Sequence, residues 1–204
     1  NAFPIKCFDK AIEQVKNLPD ISKINKNEYP LYGIPIGVKD LNDIKGVKTT
    51  QGSPLFKDHF AKKDDNIVAT MRSNKGIFVG KTNVPEHGFG ATTVNPIFGT
   101  TNNPYDVTKS CGASSGGTAV SLASNMVPLA MGSDFAGSLR TPASFCGICG
   151  MRPSVGSVPS SRRNMGWSPF DVEGPMARCI KDLKLLLWGM SAENSLDPLR
   201  THIN

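Results

Sequence analysis

An α/β fold is what this sequence predicts, on three observations. Amphipathic helical segments alternate with short apolar runs of strand character, and these runs lead into turns rich in glycine, serine or polar residues. The content of 39% hydrophobic and 20% charged residues over 204 positions is that of a globular chain able to bury a core.

Residues 7–18 read as an amphipathic helix stopped by Pro19, and residues 19–30 as a polar connector. From Leu31 the composition turns apolar, and YGIPIGVKD is a strand that ends on Lys39. Residues 64–75 (DDNIVATMRSNK) carry acids in the first turn, Ile67 and Met71 on one side and Gly76 just beyond, a helix with its stop signal. The strand IFVG follows at once. Residues 115–125 form the next helix, and VPLAM at 127–131 the next buried strand. The turn GSDFAGSLRTPAS, 132–144, then leads into a short helix with Pro142 near its first turn. Last, residues 177–189 place Cys179, Leu183, Leu186 and Leu187, with Met190 beyond, at helical spacing, an apolar face that calls for a partner.

Composition excludes several functions. The net charge of +6 comes from lysines interleaved with acids, as in KDLNDIKGVK and FAKKDDN, without a basic stripe, so nucleic-acid binding is not expected. No apolar run approaches the ~20 residues of a membrane span, and NAFPIKCFDK has no signal-peptide pattern, so the expectation is a soluble cytoplasmic chain. Five cysteines are an odd number and do not suggest a disulfide framework. Cys146 and Cys149 form a CxxC, but the flanking FCGICGM is apolar and no second pair completes a metal site, so a buried structural pair is expected, with no metal and no cofactor.

Two motifs fail on context. Gly80-Lys81-Thr82 invites a phosphate-loop reading, yet the glycine required five positions earlier is replaced by Lys75, and the intervening IFV is strand chemistry. Gly112-Ala113-Ser114-Ser115-Gly116 matches a hydrolase nucleophile elbow formally, but the run before it is polar. Its histidine would have to follow, and only His202 does; His59 and His87 lie upstream.

What survives is a serine pair in a glycine-rich turn, a second serine-bearing turn at 132–144, and Lys39 at a strand end. Without a histidine, a serine nucleophile needs another base. Lysine can serve if burial brings its pKa from ~10.4 towards ~7–8. Taken alone, Lys39 reads as an exposed strand-end lysine; in this constellation it is the candidate base.

These segments resemble the amidase signature family. The resemblance runs from Leu31 to Pro175 through PLYGIPIGVKDLNDIKGVKTTQGS, VGKTNVPEHGFG, NPYD, GASSGG, the 132–144 turn and FCGICGMRPSVGSVP, in order. It implies a mixed β-sheet flanked by helices, incomplete here because family chains are longer and their second half completes the sheet and much of the substrate pocket. The chain is thus expected to be the N-terminal part of such a protein, with 1–204 a single amidase-signature domain whose core is about 31–175. The resemblance further implies Ser138 as nucleophile, Ser114 as bridging serine in a cis peptide, and Lys39 as base. The backbone N–H groups of Phe135, Ala136, Gly137 and Ser138 are implied as the oxyanion hole. Asp134 and Arg140 are read as an ion pair holding the turn. The sequence departs from the family at Ala113 and Ala136, where glycine is usual, and at Leu139, where isoleucine is. A positive φ at Ala136 would cost about 1–2 kcal/mol.

The function so implied is hydrolysis of a carbon–nitrogen bond in a small-molecule amide, linear or cyclic, through a serine acyl-enzyme. The alternatives are a catalytically silent fragment or association subunit, and a tRNA-dependent amidotransferase A-type subunit. The last is disfavoured by VPEHGFG, which is closer to stand-alone amidases. Self-association, or pairing through the C-terminal helix, is the expectation on protein partners.

Overall fold

The computed structural model describes residues 1–25, 28–160, 167–191 and 197–201. Lys26 and Asn27 of the connector, and His202, lie outside the described residues.

The strands are β1 (Ile5–Lys6), β2 (Pro35–Lys39), β3 (Ile77–Thr82), β4 (Val94–Asn95), β5 (Gly99–Thr100), β6 (Leu129–Asp134), β7 (Cys149–Gly150) and β8 (Val172–Ala177). The helices are α1 (Phe8–Lys16), α2 (Asn66–Ser73), α3 (Gly116–Ala123), α4 (Arg140–Phe145) and α5 (Ile180–Met190). Six strands make one mixed sheet in the order β1-β3-β2-β6-β8-β7, while β4 and β5 pair separately. β3, β2 and β6 run parallel, and β1, β8 and β7 join antiparallel. The expected mixed sheet flanked by helices is therefore present.

Alternation along the strands builds two cores. Ile36, Val38, Phe78, Leu129 and Met131 face Ile67, Val68 and Met71 of α2 and Leu183, Leu186 and Met190 of α5. Ala130 and Met176 face the other way, towards Ala119, Val120 and Leu122 of α3 and Leu139, Ala143 and Cys146 around α4. The sheet is thus covered on both faces, which is what strands with continuous apolar runs require.

Several elements differ from expectation, each for a physical reason. The helix expected from residue 177 starts at Ile180, because residues 172–177 are a wholly buried strand. Gly174 and Pro175 inside that strand hide it from a propensity reading. The apolar face of α5 already has its partner in the chain's own core: Leu183, Leu186 and Met190 are buried, which leaves Ile180 and Trp188 exposed. The stop of α2 is not a left-handed glycine. Lys75 takes that conformation (φ 66°), and Gly76 is small because a Cβ there would lie 2.7 Å from Ile36 Cδ1. The cysteine pair is split: Cys146 is buried, whereas Cys149 is only half-buried. Gly80-Lys81-Thr82 lies within β3, with Lys81 wholly buried and paired to Asp40 at 2.8 Å.

Among the described residues no helix is long and apolar enough to cross a membrane.

Candidate active site

Lys39 is the last residue of β2, a central strand flanked by β3 and β6, so its side chain is enclosed rather than exposed at the strand end. Its Nζ lies 2.7 Å from Ser114 Oγ, 2.9 Å from Ser133 Oγ and 3.4 Å from the Ser133 carbonyl. Burial pushes the amine down to about 8, against the opposing pull of Glu173, Asp171 and Asp134. An ammonium donates to all three oxygens. A neutral amine keeps two donors for Ser133 and turns its lone pair to the Ser114 hydroxyl, which then donates.

Ser114 is placed by the glycine-rich turn. The Ala113–Ser114 peptide is cis. Gly112 has φ 76°, and a Cβ there would stand 2.9 Å from Pro142 Cα, so only glycine lets this turn press against α4. Ser115, its neighbour in sequence, does different work: its Oγ donates to the Ser133 carbonyl at 3.3 Å and accepts from the Ser133 amide at 3.4 Å. The two adjacent serines are therefore told apart by geometry, one meeting the lysine and the other tying α3 to β6.

Ser138 lies half-buried in the turn after β6, and its carbonyl accepts from Ser115 N–H at 3.3 Å. A side-chain hydrogen bond joins Lys39 to Ser114, whereas Ser138 is tied through its backbone to Ser115, the next residue along. Asp134 organises this turn. Its carboxylate accepts from Gly137 N–H at 2.8 Å and Leu139 N–H at 3.1 Å, pairs with Arg140 through two bonds of 3.0 Å, and meets Arg152 at 3.2 Å. Burial opposes its ionisation, but Arg140 and the two amides outweigh burial and hold the carboxyl well below the usual range.

The Gly137 amide is thus already given to Asp134. The amides of Phe135, Ala136 and Ser138 are left as those of the implied oxyanion set with no acceptor among the described residues. The positive φ of this turn falls on Gly137 (φ 111°), so Ala136 carries no left-handed penalty. The ring of Phe135, in this turn, meets that of Phe170 at 5.7 Å, and both are more than half exposed.

His87 is exposed, its ring near Gln51 Oε1 at 3.3 Å and edge-on to Phe56. It makes no hydrogen bond to Lys39, Ser114 or Ser138 among the described residues. Sequence reading missed Ser133, Asn42, Arg152 and Glu173. Ser133 was in view as part of GSDFAGS; Glu173 was hidden in the unrecognised strand β8. No group of three or more His, Cys, Asp or Glu able to hold a metal ion occurs among the described residues.

The family model described as Amidase matches residues 1–203. The A-type subunit of a glutamyl-tRNA(Gln) amidotransferase from Prochlorococcus marinus is 38% identical over 200 residues, which is 97% of this chain and 41% of that protein. Two solved structures share the fold. A 6-aminohexanoate cyclic dimer hydrolase complexed with substrate has a TM-score of 0.89 at 30% identity, covering 100% of this chain and 42% of its own. A bacterial aryl acylamidase of the amidase signature enzymes has a TM-score of 0.86 at 30% identity, covering 98% of this chain and 42% of its own. The chain therefore spans well under half the length of the relatives it matches.

Proposed function

The chain belongs to the amidase family, and from that premise we propose that it carries the acylating machinery of an amide hydrolase within one domain, 1–204. Ser138 Oγ attacks the carbonyl carbon of a small-molecule amide. Its proton passes to Ser114 Oγ, which gives its own to the neutral amine of Lys39. The oxyanion is held by the free amides of the 135–138 turn. The leaving amine takes a proton back through Ser114, and water releases the acyl group. The observation that carries this reading is the buried Lys39 Nζ–Ser114 Oγ contact of 2.7 Å, with Ser133 accepting from the other side.

Support for hydrolysis comes from the two structural relatives named as a cyclic dimer hydrolase and an aryl acylamidase. Support for a second reading, an amidotransferase A-type subunit, comes from the name of the Prochlorococcus relative. On either reading the serine is acylated. A cytoplasmic location suits both. The large apolar side chains that α5 leaves exposed for any pairing are Ile180 and Trp188.

A fluorophosphonate probe followed by peptide mapping tests the proposal. An adduct on Ser138 is expected, and its absence from well-folded protein would establish the catalytically silent alternative. Release of ammonia from glutamine or asparagine only when a partner subunit co-purifies would favour the amidotransferase reading over free hydrolysis.

A further inference from the structure

A second buried titratable group acts electrostatically on the lysine, and the proposed chemistry leaves it idle. Glu173 lies on β8 directly opposite Ser133 of β6, the residue whose hydroxyl meets Lys39 Nζ at 2.9 Å. Residues paired across an antiparallel ladder share one face of the sheet, so this carboxyl lies on the same side as the Ser133 hydroxyl. It is 7% exposed. Its Oε1 accepts from Asn42 Nδ2 at 2.9 Å, whereas its Oε2 and Asn42 Oδ1 are both buried without a hydrogen-bond partner among the described residues.

The two orphaned atoms are acceptors on side chains already joined by one hydrogen bond. A carboxylate only accepts, so an ionised Glu173 leaves both unsatisfied, at a cost of roughly 1–3 kcal/mol for each such group. One proton on the carboxyl converts Oε2 from an acceptor into a donor and supplies what this pocket lacks. The charged groups around it are Lys39 from β2, Asp171 just before β8 and Asp65 at the start of α2; Asp134 from β6 acts on the lysine. The two nearby aspartates disfavour a further negative charge, while the lysine favours one.

We propose that Glu173 is a positioning residue for the base, a buried carboxyl that competes with Lys39 for one proton. Neutral, it leaves the lysine a free amine. Ionised, it holds the lysine as an ammonium. The exchange COOH + NH2 to COO⁻ + NH3⁺ conserves every proton, so the pair changes state without exchanging protons with solvent. Burial pushes the Glu173 carboxyl up to about 7, below the value of about 8 at Lys39, so the ionised pair leads the neutral one by only about tenfold. The proposal rests on Lys39 serving as the base.

Glu173→Gln is the test, since an amide keeps the Asn42 contact, supplies the missing donor and cannot ionise. The readout independent of catalysis is the NMR titration of Lys39 13Cε, assigned by its loss in Lys39→Met. Its midpoint is expected to fall by about one pH unit in Glu173→Gln, as removal of a nearby opposite charge does; an unchanged or raised midpoint overturns the proposal. The acid-side midpoint of Ser138 acylation by a fluorophosphonate should fall in parallel; a profile that stays put while Lys39 shifts overturns Lys39 as the base and leaves Glu173 in control of the lysine charge. If Ser138 is labelled at no pH in the parent chain, the catalytic reading fails, and the Lys39 titration still decides whether Glu173 governs its charge. Should Glu173→Gln not fold, the 13Cδ titration of Glu173 in the parent chain decides instead. A midpoint near 7 supports the proposal, and full ionisation by pH 5 overturns it.

Discussion

Lys39 Nζ stands 2.7 Å from Ser114 Oγ with none of the lysine exposed, so the amine and the hydroxyl meet where water can replace neither. Lys39→Ala is expected to lower Ser138 acylation by ~10²–10⁴, the usual worth of a positioned base. His87→Ala should do little, because that ring points to Gln51. In the parent chain the rate should climb as pH passes through about 8, where the amine becomes neutral. A flat profile from pH 6 to 9, or activity abolished by His87→Ala and spared by Lys39→Ala, would sink the lysine mechanism.

The same lysine has a stability signature of opposite sense. Its folded pKa of about 8 lies below the unfolded value of 10.5, so burying the ammonium disfavours folding fully below pH 8. That penalty fades as pH rises from 8 to 10.5. Lys39→Met should therefore be more stable than the parent at pH 7, by up to about 3 kcal/mol, with the gain shrinking above pH 8. Urea melts at pH 7 and pH 10 check this.

Ser114→Ala and Ser115→Ala should separate cleanly. The first removes the hydroxyl that meets Lys39 and should cost acylation as heavily as Lys39→Ala does, with little effect on folding. The second removes two contacts to the Ser133 backbone and should cost about 1–2 kcal/mol of stability while retaining most activity. Rates and melting temperatures of the two variants, measured side by side, distinguish these outcomes.

Asp134→Asn should unlatch the turn that carries Ser138. The carboxylate is buried and engages two amides, Arg140 and Arg152, so its loss should cost about 3–5 kcal/mol and most of the acylation rate. Arg140→Ala should cost less, since that side chain is 56% exposed. Because the folded pKa is depressed, Asp134 contributes stability above the unfolded carboxyl value, and this is lost as pH falls below ~4. The gap between acid melts of parent and variant should therefore begin to narrow at about pH 4 and close only well below it.

Asp40→Asn should be among the most disruptive single changes away from the serines. It strips the ammonium of Lys81 of its carboxylate in a fully buried site, leaving Thr49 at 3.0 Å. A loss of about 3–5 kcal/mol is expected, and Asp40→Asn combined with Lys81→Met should recover part of it. Chemical denaturation of both variants measures the difference.

How much of this was legible in the sequence depends on where the physics is local. Periodicity and turn chemistry locate α1, α2, α3 and the strands β2, β3 and β6 to within a few residues, because those patterns act over short stretches. β8 was not legible: Glu173, Gly174 and Pro175 are poor strand residues, and only pairing to β6 makes the segment extended. Lys39 alone looked like an exposed strand end, and its burial follows from β2 being central, a fact of topology. Residue chemistry named two adjacent serines; resemblance, then the lysine contact, chose Ser114. The face of α5 looked unsatisfied because the residues that cover it, such as Leu31 and Met71, are distant in sequence.

The antiparallel pairing of β6 with β8 also sets the order of events during synthesis. Ser133 and Asp134, which steady Lys39 and the turn at Ser138, are backed across the ladder by Glu173 and Val172. A ribosome that has delivered Lys39, Ser114 and Ser138 has still not delivered that backing strand. Until Val172–Ala177 has followed, β6 lacks its antiparallel neighbour, and the strand that carries Ser133 and Asp134 is an open sheet edge.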